Sequence, residues 1–262
     1  MLYAIFLSFF GGRGTDFYYV GFGNYWDLSQ DETFIATLDN TIIFTIIIVP
    51  IILCISIFLA LSIYKVKSKI VQDIFITLLY IPCVTSPVAY ALFFKQMAYS
   101  DGVLSTILRG LNLVASDFNV LQDVWGARLL IVFVCIWAWS GFYILILLMA
   151  MKNIDPMLYK AAKIDGASTI TIVRKILLPT LKPILILITV LATCSTFQLY
   201  IESVIITKGG PGMSTLTLVS YLYKKSYYYV AQYGYSSALA IIIFTICIVV
   251  TSILFILGRK HE

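Results

Sequence analysis

The chain has 262 residues, of which 61% are apolar and only 12% charged, with a net charge of +5. Soluble domains carry roughly 45–50% apolar and about 25% charged residues, so a water-soluble globular domain is excluded and a polytopic membrane protein is implied. The positive balance then reports topology and is not a nucleic-acid footprint.

Cys54, Cys83, Cys135, Cys194 and Cys247 each stand alone inside an apolar run, a pattern that suggests neither a disulfide framework nor a metal cluster. The single histidine, His261, is the second-last residue, so no cofactor, metal ligation or histidine-based catalysis is expected. No G-x-x-x-x-G-K-[ST] phosphate loop occurs, so ATP hydrolysis would fall to another chain.

Residues 1–10 are apolar but too short to cross a bilayer, which takes about 20 residues. They read as the outer end of a truncated first helix. Residues 11–39 are polar and aromatic and include Gly21-Phe22-Gly23-Asn24-Tyr25. Asn40 is expected to open a first full span over 41–64 that contains Pro50, followed by the basic turn Lys65-Val66-Lys67-Ser68-Lys69. A second span covers 70 to about 94, interrupted by Pro82 and Pro87. Residues 95–128 read as an external loop with one short interfacial helix, since Leu104, Ile107, Leu108 and Leu111 recur at helical spacing. The third span, 129–151, holds Trp137 and Trp139 near its middle, where they would pack inside the bundle or line a path.

A polar island at 153–183 follows. Asp155 before Pro156 predicts an N-cap and a proline at the first helical position. Gly166 predicts a left-handed stop after a helix that ends near Ile164. Ser168 or Thr169 then caps a second helix with Ile170, Val173, Ile176 and Leu177 on one face, ended by Pro179 and Pro183. Punctuation alone would also fit an ordinary helix-turn-helix loop. A fourth span over 184–206 carries an unusual polar load, with Gln198 and Glu202 four residues apart and so expected on one helix face. A tight turn at 207–212, a tyrosine-rich stretch, a fifth span over 237–257 and a short tail complete the chain.

Eleven of the eighteen Lys and Arg residues fall in the short segments 65–69, 152–182 and 259–260, and seven in the longer remaining loops. That bias places the island in the cytoplasm.

Ala161-Ala162-x-x-Asp165-Gly166-Ala167, with Ile176 and Pro179 after it, resembles the EAA loop of ABC importer permeases. Lys160 stands where that family has glutamate, and Val173 where it has an aromatic residue. Thr207-x-Gly209-Gly210-Pro211, then Thr215, then Tyr233-Gly234-Tyr235-x-x-Ala238, resembles the carbohydrate-uptake branch, most of all its first, maltose-type permease. Gly21-x-x-Asn24-Tyr25 is similar to the family's external segment.

The resemblance implies an all-α bundle of the type I importer kind: five full spans, the truncated first helix and a cytoplasmic coupling helix. It divides the chain into 1–36, a permease domain over 37–257 and a tail over 258–262. The implied partners are a second permease, two cytoplasmic ATPase subunits, an extracytoplasmic binding protein, a sugar and the lipid membrane. Ala161, Ala162, Asp165, Gly166, Ala167, Ile176 and Pro179 would couple to the ATPase, and the Gly209-Gly210-Pro211 turn would face the binding protein. Gln198, Tyr200, Glu202 and Trp139 are the side-chain types that hold sugars and are expected along the pathway. For Glu202 a second reading stands, that it meets water at the outer boundary. A permease for another solute, such as an amino acid or polyamine, or a channel or membrane enzyme, is the alternative.

Overall fold

The computed structural model describes residues 1–13, 16–111, 114–115, 118–228 and 230–259, with the backbone alone described at 156, 159–161, 169, 257 and 259. Tyr229, Lys260 and His261 lie outside the described residues. The chain is helical almost throughout. A short helix α1 (Leu2–Leu7) leads into a two-stranded antiparallel hairpin, β1 (Phe10–Gly11) and β2 (Tyr18–Tyr19). Then come α2 (Gly23–Gln30), α3 (Glu32–Tyr64), α4 (Lys69–Val84), α5 (Pro87–Ala98), α6 (Val103–Gly110) and α7 (Val124–Lys152). The remainder comprises α8 (Pro156–Ile164), α9 (Thr169–Ile172), α10 (Leu178–Phe197), α11 (Leu218–Tyr227) and α12 (Tyr233–Arg259). Five-residue π turns occupy Val173–Leu177 and Ser203–Thr207.

Among the described residues four continuous helices are long and apolar enough to cross a membrane, and a bent pair, α4 with α5 and α6, raises the number to five where it is counted as one span. The expected span over 70–94 is that pair. It breaks at Thr85-Ser86, which are extended because Pro87 disfavours a helical residue before it. The first full span begins nine residues earlier than Thr41. Asp31 caps it through the N–H groups of Thr33 (2.9 Å) and Phe34 (3.4 Å), and Asn40 is buried inside the helix rather than opening it.

Pro179 and Pro183 do not end a helix either. The π turn precedes Pro179, with the Leu178 N–H reaching back five residues to the Val173 carbonyl, and α10 continues through Pro183. A wider turn next to a missing donor lets neighbouring helices absorb the prolines, as membrane helices commonly do. The extra residue also changes which side chains share a face. Ile172, Leu177, Leu181 and Ile188 are buried, whereas Ile170, expected with them, is 79% exposed.

Two compact units divide the chain; four of the five divisions fall inside long helices and one at the Thr85-Ser86 break. The first (Met1–Ile48, Ser86–Cys135, Thr193–Val250) gathers most of the segments read as external. Its core joins Leu28, Phe34, Phe197, Leu218, Ala238 and Leu239. The second (Val49–Thr85, Ile136–Ala192, Thr251–Glu262) gathers those read as cytoplasmic, around Ile52, Ile144, Leu147, Leu181 and Ile188.

Candidate functional site

The first half of the polar island, to the Ser168 cap, is built as its punctuation predicts. Asp155 Oδ1 accepts the Met157 N–H at 2.8 Å, and α8 runs from Pro156 to Ile164. Gly166 then takes φ +74°, a left-handed conformation that a side chain would strain. The Gly166 N–H bonds the Lys163 carbonyl (3.1 Å), and the Ala167 N–H bonds that of Ala162 (2.9 Å). This reciprocal pair satisfies the carbonyls that a helix end leaves free. Of the two candidate caps, Ser168 is the one used, its Oγ accepting from the Thr171 N–H at 3.2 Å.

Asp165, Gly166 and Pro179 are exposed and Ala162, Ala167 and Ile176 half-buried; at Ala161 the backbone alone is described. Met157 and Leu158 are exposed, and Ile164 is 85% exposed. Apolar side chains this open on a polar loop are the mark of a surface that another molecule covers.

The external turn is held quite differently. Lys208 (φ 57°) and Gly209 (φ 84°) are left-handed, and the Gly210–Pro211 peptide is cis. Gly209 is buried, and Gly210 and Pro211 are half-buried. Thr215 Oγ1 meets Thr207 Oγ1 at 2.6 Å and donates to the Gly210 carbonyl at 2.8 Å. Distant elements pin the rest of the turn. From α3, Asn40 Nδ2 donates to the carbonyls of Met213 (2.7 Å) and Leu216 (3.1 Å), and Thr41 Oγ1 accepts the Leu218 N–H (3.1 Å). From α7, Arg128 donates to the Ser214 carbonyl (3.0 Å) and to Asn40 Oδ1 (2.8 Å). Ser203 Oγ donates to the Thr215 carbonyl at 2.5 Å. Sequence reasoning assigned no role here to Asn40, Thr41, Arg128 or Ser203. The visible signal was a polar residue at or near the edge of each apolar run.

Two further motifs acquire physical reasons. Asn24 donates to the carbonyls of Ser8 (2.7 Å) and Phe10 (2.9 Å), while the Tyr25 hydroxyl donates to Ser8 Oγ (2.8 Å), so the Gly21-x-x-Asn24-Tyr25 stretch fastens the hairpin. In Tyr233-Gly234-Tyr235 a Cβ on Gly234 would lie 1.7 Å from the Phe10 carbonyl oxygen, which leaves room for glycine alone. Tyr235 and Tyr221 both donate to Asp31 Oδ2. Burial raises the Asp31 pKa, but those two hydroxyls and the N–H groups of Thr33 and Phe34 outweigh it and hold the carboxyl below its ordinary value of 3.8. Burial first, then Asp31 beside it, pushes the Tyr221 hydroxyl up, so it remains a protonated donor.

The candidate pathway residues do not share one helix face. α10 stops at Phe197, Gln198 to Tyr200 leave helical geometry, and a new turn begins at Ile201. The four-residue spacing of Gln198 and Glu202 therefore has no helical meaning. Gln198 is exposed at the break, and Tyr200 is half-buried with its ring 5.1 Å from that of Tyr223. Glu202 is 4% exposed, and the Tyr90 hydroxyl of α5 donates to its Oε1 at 2.5 Å. The reading of Glu202 as a group in outer water is overturned, because it is buried within the first unit and accepts the Tyr90 hydroxyl. Trp139, in the second unit, is half-buried against that unit's core, whereas Trp137 is exposed. Among the described residues no three His, Cys, Asp or Glu side chains gather as a metal site would require.

Residues 41–261 match the family described as binding-protein-dependent transport system inner membrane component. The chain belongs to that family. The lactose transport system permease protein LacF of Rhizobium radiobacter is 32% identical over 264 residues, covering 100% of this chain and 88% of that protein. The arabinooligosaccharides transport system permease protein AraP of Bacillus subtilis is 32% identical over 244 residues, covering 90% and 74%. A solved bacterial alginate ABC transporter, in complex with alginate pentasaccharide-bound periplasmic protein, superposes with a TM-score of 0.80 at 25% identity, over 92% of this chain and 83% of its own. Like other inner membrane components, the chain is a multi-pass protein of the bacterial cell membrane, and it is the permease subunit of an ABC importer rather than an enzyme.

Proposed function

We propose that this permease forms half of a transmembrane pathway for an oligosaccharide or related sugar, received from an extracytoplasmic binding protein. A second, related permease supplies the other half, and two cytoplasmic ATPase subunits drive the cycle through residues 153–179. The observation that carries the coupling role is the exposed apolar side of the island, Met157, Leu158, Ile164 and Ile170, presented by helices whose ends are already capped. A preformed surface docks without first ordering itself, which saves conformational entropy. Ala161, Ala162, Asp165, Gly166, Ala167, Ile176 and Pro179 set its geometry in this reading.

Support for a sugar comes from LacF and AraP, named for lactose and arabinooligosaccharides, and from the alginate transporter with its loaded periplasmic protein. Gln198 and Tyr200 are the groups open to a solute within the first unit, and Glu202 acts behind them by holding Tyr90. Trp139 is proposed separately as a lining residue of the second unit. The Gly209-Gly210-Pro211 turn is the proposed contact for the binding protein, because its clamp keeps one shape without a ligand.

The test is uptake into proteoliposomes that contain the chain with its co-purifying subunits, offered labelled lactose, arabinotriose, glutamine and spermidine in turn. Sugar uptake that requires ATP is expected. Uptake of glutamine or spermidine with no sugar uptake would overturn the substrate class, and purification without an ATPase or a second permease would overturn the assembly.

A further inference from the structure

The side of α11 away from its core gathers aromatic rings. Leu218 and Tyr221 turn inward, while Tyr223 and Tyr227, four residues apart and so on one helix face, turn outward. Their ring centroids are 4.8 Å apart. Tyr228 joins from the helix end at 6.2 Å from Tyr223, and Tyr200 joins from the break after α10 at 5.1 Å. Tyr223 is thus the hub of a four-ring cluster assembled from two separate segments. Tyr227 is 68% exposed, and Tyr223 and Tyr228 are also open. Beside Tyr228 lies a hollow of about 520 Å³ lined by Lys224, Lys225, Val230 and Gln232.

The support beneath the cluster is rigid. Thr217 caps α11, its Oγ1 accepting the Ser220 N–H, and the Lys225 ammonium lies over the rings of Tyr221 (5.3 Å) and Tyr235 (4.8 Å). Tyrosine carries few rotatable bonds, so a fixed cluster offers its faces at small entropic cost.

We propose that Tyr200, Tyr223, Tyr227 and Tyr228 form an outer carbohydrate subsite, on which sugar rings stack before entering the pathway. The inference rests on the proposed sugar substrate. Sugar rings present C–H faces to π clouds and hydroxyls around their edge. The cluster supplies faces, and the adjoining hollow supplies the amide of Gln232 and the ammonium of Lys224 for the edge. Two lysines at the rim disfavour a cationic ligand. A belt of tyrosines that merely marks the membrane surface needs neither ring-to-ring packing nor a polar hollow alongside.

The test uses the full-length chain in lipid nanodiscs and saturation-transfer NMR with lactose, maltotriose and arabinotriose as probes, with spermidine as control. Transfer to sugar C–H protons is expected. It should fall about five- to tenfold in Tyr227→Leu and in Tyr223→Leu, the size that ring stacking gives, and persist in Tyr227→Phe, which keeps the ring. Tyr227 is so exposed that its replacement leaves the fold intact, which keeps the test decisive if Tyr223→Leu misfolds. Equal transfer in wild type and Tyr227→Leu, or transfer to none of the three sugars, would overturn the subsite. So would a Tyr227→Leu chain that keeps sugar transfer yet loses uptake stimulated by the binding protein, which would mark the patch as a protein contact. Labelled uptake separates the two failures. Normal sugar uptake with unchanged transfer removes the subsite alone, whereas uptake of spermidine and of no sugar removes the substrate reading as well.

Discussion

The island at 153–179 and the turn at 203–217 are both short irregular stretches between apolar helices, yet they are stabilised in opposite ways. The island is tied by its own residues: Asp155, Gly166 and Ser168 each satisfy backbone groups two to four positions away, and its apolar side chains stay outside. The turn is tied by residues far along the chain, Asn40 and Arg128 above all, and its hydrogen-bonding groups are largely buried. A loop finished locally and left apolar outside is free to be moved by a partner. A loop clamped from several helices keeps its shape while they move.

The largest effect should come from breaking the island. Gly166→Pro forbids the left-handed φ, and Asp165→Lys inverts the charge beside it; both should abolish uptake while leaving membrane insertion unchanged. Retention of ATPase subunits on washed membranes, measured with uptake, decides the matter, and normal uptake in both variants sinks the coupling role. Asn40→Leu comes next. It removes two donated hydrogen bonds, to the Met213 and Leu216 carbonyls, and takes one of its two acceptors from the Arg128 guanidinium, a loss of about 3 kcal/mol read as a lower unfolding midpoint in detergent. An unchanged midpoint would mean that the turn holds itself.

Glu202→Leu should cost about 1–3 kcal/mol, because the buried Tyr90 hydroxyl loses its acceptor, whereas Glu202→Gln keeps an acceptor there and should cost far less. Equal losses in the two variants would show that charge, not the hydrogen bond, matters at this position. The smallest effect concerns Asp31. Its folded pKa lies below the ordinary 3.8, so its contribution is present above about pH 4 and lost as pH falls through the folded value. Asp31→Asn should therefore lower stability above about pH 4, leave strongly acid conditions little changed and so flatten the acid end of the stability curve; an unaltered acid limb would discount the Asp31–Tyr221–Tyr235 contact.

The same contrast explains what could be read from the sequence. The Asp155 cap, the Gly166 stop and the limits of α8 depend on residues a few positions away and were legible in the sequence, while the second cap stayed open between Ser168 and Thr169. The start of α3 was misplaced because Asn40 resembles a cap, while the real cap, Asp31, sits among polar residues without contrast. The interruption next to Pro87 was legible from the proline, whereas the break at Gln198 to Tyr200 was missed because no proline or glycine marks it. Asn40–Met213 and Tyr90–Glu202 join residues more than a hundred positions apart, which no local pattern encodes.

The π turn at Val173–Leu177 has a geometric corollary. An α-helix advances about 100° per residue, so one surplus residue swings everything before it by that angle relative to an uninterrupted helix. Ile172 and Leu177 are both buried five positions apart, while Ile170 is exposed. Deleting one residue from this turn would leave every contact of α10 in place and aim α9 and Ile170 in another direction. The heading of the island is written as a residue count, which the partner proposed for it would have to match.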